Sequence, residues 1–118
     1  MHELPITKSI LDWACLYAEK AKARKVVTIV LEIGVLRDLK EEWLLRYFRY
    51  ISRDTIAAEA EILVIKVPLT CRCLNCKEVF SVDVDQLTDE NILCPVCHER
   101  RYEIETGTEF SIQGIEVV

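Results

Sequence analysis

Histidine is scarce in this chain, with two in 118 residues, and one of the two is residue 2. Long apolar runs are absent: the longest, VVTIVLEIGVL, is interrupted by Thr28, Glu32 and Gly34, well short of the roughly 20 residues that span a bilayer. The N-terminus has no basic region followed by an apolar stretch and a small-residue cleavage site, so it does not read as a signal peptide and a cytoplasmic protein is expected. Basic residues number 15 against 20 acidic ones, and the resulting charge of −5 argues against a nucleic-acid-binding surface. No glycine-rich phosphate loop occurs, so any nucleotide hydrolysis must belong to a partner. Repeats, low-complexity runs and flexible linkers are likewise missing, and no catalytic constellation stands out; the chain reads as a non-enzyme.

Cysteine, by contrast, is plentiful: Cys15, Cys71, Cys73, Cys76, Cys94 and Cys97. In a reducing compartment a disulfide framework is improbable, and metal or redox chemistry takes its place. The length allows one ordinary domain with a small appended module.

From Thr7 to about Lys25, Ile10, Leu11, Ala14, Cys15, Tyr17, Ala18 and Ala21 recur at three- and four-residue spacing, which predicts an amphipathic helix. Pro5 ends the opening segment and Thr7 is its natural cap; Cys15 reads as a small hydrophobe on the buried face. Val26–Val35, rich in β-branched residues, predicts a central strand with Val27, Ile29, Leu31 and Ile33 on one side. In KEEWLLRYFRYISRD, residues Trp43, Leu44, Tyr47, Phe48 and Ile51 share one stripe of a second helix, with acids early and arginines late as the dipole prefers. Ile62–Val67 and Glu109–Val118 read as further strands. The expected fold is α+β: a small sheet of about three strands packed by two helices, with a zinc-ribbon-like module inserted before the C-terminal strand. In domain terms, residues 1–69 plus 109–118 form the α/β part and residues 70–108 the four-cysteine module.

That module reads TCRCLNCKEVF and, with 17 residues intervening after Cys76, continues from Cys94 as CPVCHERRYE. Cys73 with Cys76, and Cys94 with Cys97, are CxxC pairs, each able to direct two sulfurs at one ion and together to complete a tetrahedron at about 2.3 Å per sulfur. Four sulfurs leave no open position, so structural rather than catalytic zinc is expected, and metal binding should supply most of the module's folding free energy. Cys71, two residues before Cys73, competes for the first place; Cys73 is preferred for its spacing to Cys76. Residues 71–108 carry four basic and eight acidic side chains, a balance that repels phosphate and favours protein contact or metal handling over a nucleic-acid-binding zinc ribbon. A CxxC thiol oxidoreductase is the enzyme alternative, and it requires reactive, low-pKa thiols. His98, beside Cys97, reads either as an exposed polar residue near the knuckle or as an imidazole on a metal-braced loop.

At the other end, Met1-His2-Glu3 offers an α-amine, backbone amides and an imidazole. Amine and amide close a five-membered chelate, amide and ring a six-membered one, and such a nitrogen set suits square-planar nickel(II) or copper(II). His2 is bulky, so Met1 should be retained. Ligands that lose protons to bind weaken as pH falls, which fits an exposed site built for transfer.

The whole chain resembles the HypA family of hydrogenase and urease nickel-incorporation proteins. The likeness rests on Met1-His2-Glu3, Ile33-Gly34 after the first strand, Cys73, Cys76, Cys94 and Cys97, and the ending GTEFSIQGIEVV from Gly107. It implies a metallochaperone with nickel(II) as transferable cargo at Met1, His2 and Glu3, and structural zinc(II) at the four cysteines. His98 is then an auxiliary nickel ligand. The implied partners are a HypB-type GTPase and the large-subunit precursor of NiFe hydrogenase, with urease maturation proteins in some organisms; neither nucleic acid nor membrane is among them. Cys71 is the chief departure from the family pattern.

Overall fold

The computed structural model describes residues 3–86 and 92–118. The described chain runs α1 (Glu3–Lys20), β1 (Val26–Gly34), α2 (Glu41–Ile51), β2 (Glu61–Val67), β3 (Thr70–Cys73), β4 (Val79–Ser81), a 3-10 turn (Val84–Gln86), β5 (Tyr102–Thr106) and β6 (Phe110–Val117). No described helix is long and apolar enough to cross a membrane.

α1 begins earlier than its sequence suggests. Pro5 lies inside the first turn, and Thr7, expected as the cap, is buried within the helix with its hydroxyl donating to the Glu3 carbonyl at 2.5 Å. The first N–H groups of a helix have no intrahelical acceptor, so a proline there sacrifices no bond. The helix also ends sooner, at Lys20 rather than Lys25. Lys22 turns left-handed (φ 56), Lys22 N–H returns to Glu19 O at 3.1 Å, and Ala23 N–H to Ala18 O at 2.9 Å. That is the bonding of a Schellman cap, formed without glycine. Ile10, Leu11, Ala14 and Ala18 are buried, whereas Cys15 is only half-buried and Tyr17 is exposed. The apolar stripe is narrower than its spacing implies, and α1 packs against α2.

In β1, Ile29, Leu31 and Ile33 alternate into the core and Val27 is half-buried. In α2, Leu44 and Phe48 are buried, while Trp43 stays exposed. These elements form a three-stranded sheet ordered β2-β1-β6. Val35 N–H meets Val67 O at 2.9 Å, so β1 and β2 finish side by side, joined through α2 as a parallel crossover. β6 runs the other way: Gly34 N–H donates to Glu109 O (2.7 Å) at one end, and Val118 N–H to Lys25 O (3.1 Å) at the other.

A second sheet, ordered β4-β3-β5, occupies the cysteine-bearing region. All its pairings are antiparallel, with Cys71 opposite Phe80 on one side and Ile104 on the other, and a bulge between Thr70 and Cys71. The hydroxyls of Thr70 and Thr106 lie 2.6 Å apart, and Arg72 grips Glu105 with two bonds of 2.6 and 3.1 Å. The chain divides into two compact units: Met1–Glu32 with Asp38–Ile65 and Ser111–Val118, and Ile33–Arg37 with Lys66–Phe110.

Candidate metal centre

The two CxxC segments fold into matching turns. Cys73 N–H donates to Glu78 O (2.8 Å) and Lys77 N–H to Cys73 O (3.0 Å); in the second segment Cys94 N–H donates to Glu99 O (3.1 Å) and His98 N–H to Cys94 O (2.9 Å). Lys77 (φ 69) and His98 (φ 62), each just after a second cysteine, take the left-handed conformation that closes the turn. A side chain there is disfavoured by about 1–2 kcal/mol relative to ordinary helical backbone, so both turns need something to hold them.

Cys73, Cys76, Cys94 and Cys97 bring their sulfurs within 4.8 Å of one another. Cys73 lies 3.5 Å from Cys97, and Cys76 lies 3.5 Å from Cys94. A tetrahedron with metal–sulfur bonds of about 2.3 Å has sulfurs about 3.8 Å apart, so the donors already stand at the separation a zinc ion needs. Asn75 N–H points at Cys73 Sγ from 3.4 Å, the kind of donor that stabilises a ligating thiolate.

Electrostatics also calls for a cation. The Asn75 side chain and the Glu99 N–H pull Cys97 down to about 6. Cys76 goes the other way, to about 12: the Glu78 N–H opposes the rise, but burial and hydrogen bonds with the three neighbouring sulfurs overcome it. Four thiolates cannot crowd together unneutralised, and a divalent ion removes the conflict. The arrangement closes around one ion without an open position for substrate.

Cys71 is buried outside the four-sulfur group, and burial pushes its thiol up. It shares a face of β3 with Cys73, two residues on, and packs as a small hydrophobe. Cys15 is half-buried; burial raises its pKa, and a hydrogen bond with Thr55 partly opposes the rise. The His98 side chain is exposed.

Of the other three candidates, Met1 and His2 lie outside the described residues. Glu3 opens α1, and its carboxylate accepts the Lys40 N–H at the start of α2 from 3.3 Å. Bonds from its own amide and from Lys40 hold Glu3 below the ordinary carboxylate range. α2 has no side-chain cap of its own, so an acid from another helix stands at its positive end. Glu3, Asp38, Lys40, Trp43 and Tyr47 line one hollow of about 280 Å³. Sequence spacing gives no hint of this grouping, because only the packing of α1 on α2 brings Glu3 to Asp38.

Comparison with known proteins agrees along the full length. The family model described as hydrogenase/urease nickel incorporation, metallochaperone, hypA matches residues 1–117. A hydrogenase maturation factor HypA of Dehalococcoides mccartyi is 37% identical over 118 residues, covering 99% of this chain and 94% of that one. The HypA of Synechococcus elongatus is 31% identical, with all of both chains covered. Escherichia coli HybF, another hydrogenase maturation factor, is 29% identical over 117 residues. The solution structure of the Ni metallochaperone HypA from Helicobacter pylori superposes with a TM-score of 0.66 at 21% identity, covering 100% of this chain and 98% of that one. A second solution structure of a HypA protein gives 0.74, also at 21% identity, and these two likenesses speak for the fold alone. The chain belongs to the HypA family of hydrogenase/urease nickel-incorporation metallochaperones.

Proposed function

We propose that this chain binds nickel(II) at its N-terminus and delivers it during maturation of NiFe hydrogenase, and in a urease-containing cell towards urease. The observation that carries the reading is the family match, which begins at residue 1 and so takes in Met1-His2-Glu3. The Met1 amine, the amide and ring of His2, and Glu3 are the ligands; His98, exposed on its turn, is the other imidazole the chain offers as an auxiliary one. Nitrogen donors from deprotonated amides favour a square-planar ion, which separates this cargo from zinc. Reprotonating those amides releases it. Glu3 and Asp38, lining one hollow, give the same neighbourhood two carboxylates that favour a cation.

Zinc(II), by contrast, is the resident ion, held by Cys73, Cys76, Cys94 and Cys97. Its part is structural, fixing two turns and a sheet too small to bury a core of its own. Such a protein works in the cytoplasm without chemistry of its own: a HypB-type GTPase supplies nucleotide hydrolysis, and the large-subunit precursor of the hydrogenase receives the ion.

The test is restoration of NiFe hydrogenase activity in cells lacking the chain. The wild type should restore it and His2→Ala should not, with both proteins present at equal level and carrying zinc. Full restoration by His2→Ala would overturn the nickel reading.

A further inference from the structure

We propose that the outward stripe formed by Trp43, Arg46, Tyr47 and Tyr50 of α2 and by Arg53 in the turn that follows it is a docking surface for an acidic segment of a partner protein. Between Trp43 and Arg53 the chain has three arginines and no acid, in a protein whose net charge is −5. Positions 43, 46, 47 and 50 recur at helical spacing; Trp43, Arg46 and Tyr50 are exposed and Tyr47 half-buried, while Leu44 and Phe48 are buried, and exposed Arg53 follows in the turn after α2. Tyr50 is 66% exposed and Trp43 39%, which is unusual for side chains of that size.

The arginines are held in advance. The Arg46 guanidinium lies 4.9 Å from the Trp43 ring centre, and that of Arg53 lies 4.3 Å from Tyr50. The Trp43 and Tyr47 rings stand 5.8 Å apart at 31°. A guanidinium already held over a ring loses less side-chain freedom when it binds a carboxylate. Arg53 is further fixed by donating from Nε to Tyr50 O at 3.1 Å. Arg46 also pairs with Glu42 at 3.1 Å, but both side chains are largely solvated, and a partner's carboxylate can replace that contact. Arg49, on the flank, has no acidic partner among the described residues. Aromatic and arginine side chains are the ones that dominate protein interfaces.

Charge decides the class of occupant. Glu41 and Glu42 precede the stripe, and Asp54 and Glu59 follow it. Those acids repel a continuous phosphate backbone but leave room for carboxylates placed a helical turn apart. At the far end, Tyr50, Ile51, Arg53, Asp54 and Ala58 line a shallow, open depression of the surface. Trp43 and Tyr47 belong both to the stripe and to the hollow lined by Glu3 and Asp38. A docked partner would therefore stand beside the cargo site. That use rests on the nickel reading; the docking does not.

The test is a nitrogen-15 NMR titration of the full chain without nickel. The probe is a synthetic helical peptide of about 20 residues with glutamates and leucines one turn apart. A lysine-for-glutamate version and a single-stranded oligothymidine of equal charge are the comparisons. The acidic peptide should shift the amides of 43–58, weaken with added salt, and lose at least about tenfold in affinity to Arg49→Glu/Arg53→Glu. Tyr50→Ala, which leaves every charge in place, should lose affinity as well, and serves if the double variant does not fold. Absence of binding at millimolar peptide, equal binding by the folded variants, or tighter binding of the oligothymidine would each overturn the proposal. Because nickel is left out, these results stand whether or not the N-terminal site holds it.

Discussion

Gly34 and Gly107 touch backbone to backbone: a Cβ placed on Gly34 would overlap the Gly107 carbonyl. Four bonds hold the approach. Gly34 N–H donates to Glu109 O at 2.7 Å and Leu36 N–H to Gly107 O at 2.8 Å, while the Glu109 carboxylate accepts Gly107 N–H at 2.7 Å and Arg37 Nε donates to Thr108 O at 2.8 Å. Gly107 itself sits at φ 123, a conformation other residues rarely adopt.

Gly34→Ala must therefore move backbone that is already bonded. The expected loss is about 2–4 kcal/mol, as for other substitutions that force a clash in packed structure. Urea unfolding of the zinc-loaded protein measures it. Gly114→Ala is the control: nothing lies within 4 Å of its added methyl, and its effect should stay within about 0.5 kcal/mol.

Cys94→Ala removes a fully buried sulfur of the four-cysteine group. It should lose the zinc and collapse the amide dispersion of residues 70–108, while the signals of α1, α2 and β1 persist. Cys71→Ala, equally buried but outside the group, should keep its zinc. Metal analysis alongside NMR spectra checks both; a Cys71 variant that loses zinc while a Cys73→Ala variant keeps it would exchange the roles of Cys71 and Cys73.

Arg72 holds the Glu105 carboxyl below its ordinary value of 4.5 through their paired hydrogen bonds. A folded pKa below the unfolded one means that the stabilisation is fully present above about 4.5 and is lost as pH falls through the depressed value. The stability difference between wild type and Arg72→Gln should hold from neutral pH down to about 4.5 and vanish below the folded pKa. Carbon-13 titration of the Glu105 carboxyl should show its midpoint rising towards 4.5 in Arg72→Gln. An unmoved midpoint would mean that the ion pair does not form in solution.

Periodicity made β1 and α2 legible, because Ile29, Leu31 and Ile33 alternate and Leu44 and Phe48 fall one turn apart. Fixed CxxC spacing did the same for the four sulfurs. Pro5 misled, since proline breaks a helix interior but suits its first turn. β4, three residues long with its ends exposed, leaves no alternation to read, so the second sheet was invisible. The left-handed backbone of Lys77 and His98 is imposed by the sulfur turns and leaves no mark in residue type. Asp38 and Lys40 meet Glu3 only through helix packing, which no spacing rule encodes.

The central claim, a nickel site made from the start of the chain, is tested most directly by calorimetric nickel titration of the untagged protein. The same titration is run on a version carrying one extra residue before Met1. Extension moves the amine away from the chelate and leaves every side chain in place. The untagged chain should bind one nickel ion at this site, the extended chain should lose that binding, and both should retain about one zinc per chain. Equal nickel affinity in the two proteins would contradict the account.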